Sequence, residues 1–134
     1  MTGETNLDVL IKSMKPELND GLYVFCTVPP HRLPDIPIED ILMHFKEKEG
    51  ITIVISEDLA VQHLLEFEQR FSWITLSVHS SLSAVGLTAA FSATLSKNNI
   101  SCNVIAGYFH DHIFVDYRDA EKAISALKIM SAIS

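Results

Sequence analysis

Apolar residues recur along the chain with two spacings, every third or fourth residue in some segments and every second residue in others. The first spacing predicts α-helices and the second predicts β-strands. The clearest helix is predicted over residues 84–97, where Leu87, Phe91 and Leu95 share one face. The other predicted helices are 7–14, a segment from Pro37 to the stop at Gly50, and a last one capped by Asp119; the predicted strands are 22–28, 51–55, 73–78, 101–108 and 112–116.

The order of these segments suggests a weak internal repeat. The first half is predicted as strand, helix, strand, and the second half as strand, helix, strand, strand, helix. Residues 56–71 fit either helical turns or an edge strand or loop. This order is typical of an α+β, ferredoxin-like (βαββαβ) fold, with an antiparallel sheet and helices on one face. We therefore expect two modules, at residues 1–65 and 66–134.

Composition and charge narrow the classes of partner. The 134 residues are 48% hydrophobic and carry a formal net charge of -7, which disfavours nucleic acid and anionic membranes as partners. We find no signal peptide and no apolar run long enough to span a bilayer, so we expect a cytoplasmic protein. Cys26 and Cys102 lie in apolar runs and are predicted to be buried, reduced thiols.

One stretch of the chain begins with the strand at Trp73, continues through Val85-Gly86-Leu87 into the helix, and reaches the next strand at Ile100-Ser101-Cys102. This stretch resembles the ACT domain, and most closely the tandem ACT pair of aspartate kinases. Val85 stands where the family pattern has proline, and Ser101 where it has asparagine. The resemblance implies a non-catalytic regulatory protein that binds a small molecule, usually an amino acid. It also implies a homodimer or a partner enzyme, with the ligand held between modules or subunits.

The corner between the strand and the helix has the chemistry for such a ligand. The first amides of a helix have no partner within the helix and favour a carboxylate, and a glycine lets a ligand approach the backbone. The resemblance adds a second wall from the following strand. The predicted ligand-binding residues are His79, Ser80, Ser81, Ser83, Val85, Gly86, Leu87, Asn103, Val104 and Ile105.

Other interpretations of the same residues stay open. Gly86 could serve only the packing of the helix, which would leave a structural dimerisation module without a ligand. His110-Asp111-His112 could bind a metal on one strand face, but two ligands do not complete a zinc site, and a hairpin turn is the preferred interpretation. A hydrolase or transferase that uses His79, His110 or His112 is the remaining alternative. We predict no cofactor, no metal and no catalytic residue.

Overall fold

The structure is a computed structural model, and it describes residues 6–78 and 85–133. The chain forms two compact units. The smaller unit is residues 21–71, and the larger unit joins the first twenty residues to the part of the chain that follows residue 71. The two modules predicted at residues 1–65 and 66–134 stay a prediction. The compact units divide the chain at other positions.

The elements follow one another in a fixed order along the chain. They are α1 (Leu7–Ser13), β1 (Pro16–Leu18), β2 (Tyr23–Val28), 3-10 turns at Pro30–Asp35 and Ile38–Asp40, β3 (Met43–Lys46), β4 (Ile51–Ser56), α2 (Glu57–Gln62), β5 (Phe71–Leu76), α3 (Leu87–Lys97), β6 (Asn103–Ala106), β7 (Asp111–Asp116), a 3-10 turn at Tyr117–Asp119, and α4 (Ala120–Ile133).

The larger unit has the ferredoxin-like arrangement, with one strand supplied by the beginning of the chain. Its strands lie in the order β1-β5-β7-β6, and both β1–β5 and β6–β7 are antiparallel pairs. One face of this sheet packs against α1, α3 and α4 through a core that includes Ile74, Phe91, Ile113 and Leu127. Strand β1 occupies the outer position beside β5, so the N-terminal segment completes the unit.

The predicted helices of the larger unit are confirmed. Asn6 begins α1, because its side chain accepts a hydrogen bond from the amide of Val9 at 3.2 Å. The predicted face of α3 is buried, with Leu87, Phe91 and Leu95 all in the core. The helix α4 is present directly after Asp119, but the side-chain cap seen here is Asp116, which accepts from the amide of Arg118 in the preceding 3-10 turn. Regular spacing was sufficient here because each helix packs one apolar face on the sheet.

The predicted helix from Pro37 to Gly50 is wrong. The segment contains the 3-10 turn Ile38–Asp40 and then β3, which pairs antiparallel with β4 in the register Met43 to Val54. Gly50 belongs to the turn of this hairpin, where the amide of Glu47 donates to the carbonyl of Gly50 at 3.0 Å. Pairing with four residues of β4, Ile51–Val54, therefore overrides the helical spacing of Ile38, Ile41, Leu42 and Phe45.

The rest of the smaller unit forms a sheet around β4. Strand β2 pairs with β4 antiparallel on the side opposite β3, and Tyr23 pairs with Phe71 at the first residue of β5. The side chain of Ser56 caps α2 by accepting from the amide of Leu59 at 3.2 Å. Part of segment 56–71 is thus a short helix, as one interpretation of the sequence allowed. None of the helices in the described ranges is long and apolar enough to cross a bilayer.

Candidate functional site

The helix α3 begins at a glycine, which has no side chain with which to cap it. Gly86 is the N-cap residue, has φ +101° and gives the helix no side-chain cap. This left-handed backbone conformation is readily adopted by glycine and strained for other residues. The first amides of α3 therefore point out of the helix without an intrahelical acceptor, and the macrodipole adds partial positive charge there.

The residues on either side of Gly86 differ in exposure. Val85 is 83% exposed, whereas Leu87 is only 3% exposed and packs in the core. A molecule at this corner can touch Val85 and the backbone, but not the side chain of Leu87. Of the predicted ligand-binding residues, His79, Ser80, Ser81 and Ser83 lie outside the described residues.

The space beside Gly86 is occupied by α1. A Cβ atom added to Gly86 would lie 3.0 Å from Cδ2 of Leu7, in the same unit. The glycine therefore permits close packing of α1 as well as the left-handed backbone. Leu7 fills the direction in which a side chain at Gly86 would point, so a ligand cannot reach the backbone of Gly86 along that direction.

The second predicted wall lies on β6. This strand is at the end of the strand order and pairs with β7 alone among the described strands. Asn103 and Val104 are exposed and Ile105 is half-buried, and the Asn103 amide donates to the carbonyl of Phe114 at 3.4 Å. Strand β7 lies between β5 and β6, so these three residues are one strand further from the strand before the corner than the sequence suggested.

A polar network that the sequence analysis missed crosses the sheet of the larger unit. The Trp73 indole donates to Nδ1 of His112 at 3.0 Å, and Oγ1 of Thr75 lies 3.2 Å from the same nitrogen. The side-chain amide of Asn19 donates to Oγ1 of Thr75 at 3.0 Å and to the carbonyl of Trp73 at 3.2 Å. With Trp73 as donor, Nδ1 is an acceptor, and His112 is the neutral tautomer protonated at Nε2.

Burial and neighbouring charges shift the pKa values of Asp111 and His112 at this network. Burial lowers the pKa of His112, the charge of His110 acts in the same direction, and Asp111 opposes both. Burial raises the pKa of Asp111 despite the two histidines. The Nδ1 atom of His110 lies 3.3 Å from the carbonyl of Val78. Since Nδ1 of His112 accepts the Trp73 N–H and Nε2 carries the ring proton, this tautomer has no free lone pair for a metal. No group of three candidate metal ligands occurs among the described residues.

Both cysteines are free thiols. Cys26 is buried in the smaller unit, and Cys102 is half-buried, with its pKa raised to about 11 by burial. At neutral pH these thiols are protonated and poorly nucleophilic.

Comparison with solved structures gives relatives over almost the whole chain. A protein of unknown function from Vibrio cholerae, a possible transport protein, is 49% identical, with a TM-score of 0.84 over 93% of this chain and 95% of that chain. The protein Atu0741 from Agrobacterium tumefaciens is 18% identical, with a TM-score of 0.70 over 88% and 89%. The ligand-free regulatory subunit of aspartate kinase from Thermus thermophilus is 9% identical, with a TM-score of 0.62 over 90% and 98%.

These comparisons carry different weight. The two structures of low identity show a shared fold alone, whereas the Vibrio cholerae protein is a relative in sequence as well. No curated protein matches the chain. The ACT domain family matches residues 2–72, more than half of the chain, and matches a second time over residues 68–128. The protein therefore belongs to the ACT domain family and carries two ACT domains in tandem.

Proposed function

We propose that this protein is a non-catalytic regulatory protein that binds a small molecule, most simply an amino acid, at the corner before α3. ACT domains are typically regulatory, ligand-binding and non-catalytic, and this chain contains two of them. The observation that carries the proposal is the uncapped start of α3 at Gly86 beside the exposed Val85. We expect the protein to act in the cytoplasm as a homodimer or on a partner enzyme.

The chemistry of the corner suits one end of an amino acid. The outward amides of the first turn of α3 can donate to a carboxylate, and the helix dipole favours its charge. Val85 offers apolar surface to an aliphatic side chain. Asn103, Val104 and Ile105 would form a second wall from β6 of the same or a neighbouring copy, where the Asn103 amide oxygen can accept from an ammonium group. The ligand would act by stabilising one arrangement of the protein over another.

A thermal shift experiment tests this proposal. The full chain is heated with each common L-amino acid at rising concentration, and native mass spectrometry checks the protein for a bound molecule. A true ligand raises Tm progressively, and a concentration of one hundred times Kd stabilises the folded state by about 2.7 kcal/mol. A flat response to every amino acid, together with no bound molecule in native spectra, would overturn the proposal.

Two matched variants locate the site. Val85→Glu places a carboxylate at the corner, where it repels the ligand's carboxylate, and should weaken binding at least tenfold. Val61→Glu is the control, because Val61 is an exposed apolar residue on α2 in the smaller unit. Equal effects of the two variants on ligand-dependent Tm would place the ligand elsewhere.

A structural dimerisation module is the second candidate function. The close approach of Leu7 to the Cβ position of Gly86 favours it, because packing alone then explains the glycine. This candidate predicts a stable dimer whose Tm ignores all amino acids. An enzyme that uses His79, His110 or His112 would need a free imidazole, and His112 already accepts the Trp73 N–H at Nδ1.

A further inference from the structure

An apolar groove of about 340 Å³ lies on the smaller unit. Its residues come from the segment between β2 and β3 and from β3 itself; they are Leu33, Pro34, Ile36, Pro37, Ile38, Ile41 and His44. Ile36 is only 4% exposed, whereas Ile38 is 73% exposed. The exposed Ile38 beside the almost buried Ile36 gives the groove an apolar wall that is open to solvent.

The groove exists because no α-helix occupies this part of the smaller unit. The larger unit places the eleven-residue α3 between β5 and β6, but the smaller unit places two 3-10 turns between β2 and β3. Hydrogen bonds within the segment hold the backbone of these turns. The amide of Ile36 donates to the carbonyl of Leu33 at 3.1 Å, and the amide of Ile41 donates to the carbonyl of Ile38 at 3.1 Å. Pro34 and Pro37 stiffen it further. The groove is therefore preformed.

The charges next to the groove are mainly acidic. Asp35, Glu39 and Asp40 are all exposed in the same short segment, and the one nearby arginine, Arg32, lies 3.8 Å from Asp35. A partner that fits must carry apolar side chains for the groove and positive charge for this rim.

The far half of α4 carries such a surface. Ile129 and Ile133 are 60% and 80% exposed, and they are four residues apart, so they lie on the same side of the helix. Lys128 is exposed next to them, and this half of the helix has no acidic residue. We name Lys128, Ile129 and Ile133 the α4 ridge. A helix with apolar anchors at this spacing is the usual occupant of an apolar groove.

We propose that the α4 ridge of a second copy of this chain binds in the apolar groove of the smaller unit. The contact joins two different surfaces. If the two copies bind each other reciprocally about a two-fold axis, the result is a closed isologous dimer; if they do not, the contact is heterologous and adds further copies in a ring or an open chain. Ile129 and Ile133 fill the groove against Ile36 and Ile38, and Lys128 lies beside the acidic rim. This association does not depend on a ligand at the α3 corner, so either proposal can fail alone.

Complementation between two variants tests the contact between the groove and the α4 ridge. Ile38→Glu disables the groove and leaves the ridge intact, while Ile129→Glu disables the ridge and leaves the groove intact. Both side chains are exposed, so the fold should persist, which circular dichroism verifies. We expect the unmodified chain to self-associate in sedimentation velocity and each variant alone to be at least tenfold weaker. An equimolar mixture of the two variants should regain a complex containing one copy of each.

The controls separate this contact from other surfaces. Val61→Glu adds the same charge outside the groove and ridge and should leave self-association unchanged. Lys128→Glu should weaken association severalfold, and Lys122→Glu, on the first half of the same helix, should not. A monomeric unmodified chain, full association of Ile38→Glu alone, or a mixture that remains monomeric would each overturn the proposal.

Discussion

Replacing His112 by alanine removes the acceptor that Trp73 and Thr75 share. The two contacts to Nδ1 measure 3.0 Å and 3.2 Å, and Thr75 is almost fully buried. Each lost hydrogen bond costs about 0.5–1.5 kcal/mol, so the free energy of unfolding should fall by about 1–3 kcal/mol. For a chain of this length that corresponds to a decrease in Tm of roughly 3–12 °C.

His112→Asn is the matched control, because its amide oxygen takes a place close to that of Nδ1 and can accept the indole N–H. It should retain more of the stability than His112→Ala in urea unfolding followed by circular dichroism. Equal stability of His112→Ala and the unmodified protein would refute the assignment of the network.

The same histidine gives a pH dependence whose sign follows from its lowered pKa. Above pH 6.5 the histidine is neutral in both states. As the pH falls below 6.5, the unfolded chain takes up the proton first, so the free energy of unfolding decreases until the pH passes the lower folded pKa. Protonation would place a second donor opposite the Trp73 indole. Trp73 is the one tryptophan of the sequence, so its fluorescence reports the change directly.

Asp111 acts in the opposite direction and at lower pH. Burial raises its pKa above 3.8, so the folded protein takes up this proton first and gains stability as the pH falls. We expect the decrease in the free energy of unfolding below pH 6.5 to be smaller in His112→Asn than in the unmodified protein, as measured by urea unfolding at each pH. If His112→Asn keeps the full decrease below pH 6.5, another group is responsible.

Two further predictions concern backbone and thiol chemistry. Gly86→Ala should lower the free energy of unfolding by about 1–2 kcal/mol because of the left-handed backbone at φ +101°, and by more because the new Cβ would meet Leu7 at 3.0 Å. The cost should be smaller when Gly86→Ala is made in a chain that already carries Leu7→Ala. Urea unfolding measures both values, and an unchanged midpoint for Gly86→Ala would contradict the prediction. Cys102, with a pKa of about 11, should react slowly with a disulfide reagent at pH 8 until urea unfolds the chain; reaction as fast as that of a free thiol would contradict the buried position.

Local spacing predicted those helices that pack one full face on a sheet. Leu87, Phe91 and Leu95 are all buried, so spacing and burial agree. The same spacing at Ile38 and Phe45 was misleading, because both side chains are exposed and the segment is held by its pairing with β4. Strand β1 was missed for a related reason. It has three residues, and its partners on β5 lie far along the chain.

The candidate site could be predicted only in part. The glycine before the helical spacing of α3 predicted the corner at Gly86, where the structure has a left-handed N-cap residue. That a ligand binds at this corner stays a prediction. The network of Asn19, Trp73, Thr75 and His112 could not be found this way, because three separate elements bring its members together. The only local signal was the spacing of Trp73 and Thr75, which places both on one strand face.

The two ends of the smaller unit are close together. The amide of Asn19 donates to the carbonyl of Trp73 at 2.9 Å, and Tyr23, four residues after Asn19, pairs with Phe71, two residues before Trp73. Residues 21–71 are therefore an insertion in the sequence of the larger unit, and the two ends of this insertion lie next to each other. During synthesis residues 21–71 are made before most of the larger unit, so β1 has no partner strand until β5 has been made. Because the larger unit has its own core, replacing residues 21–71 by a few glycines should leave a chain that still folds.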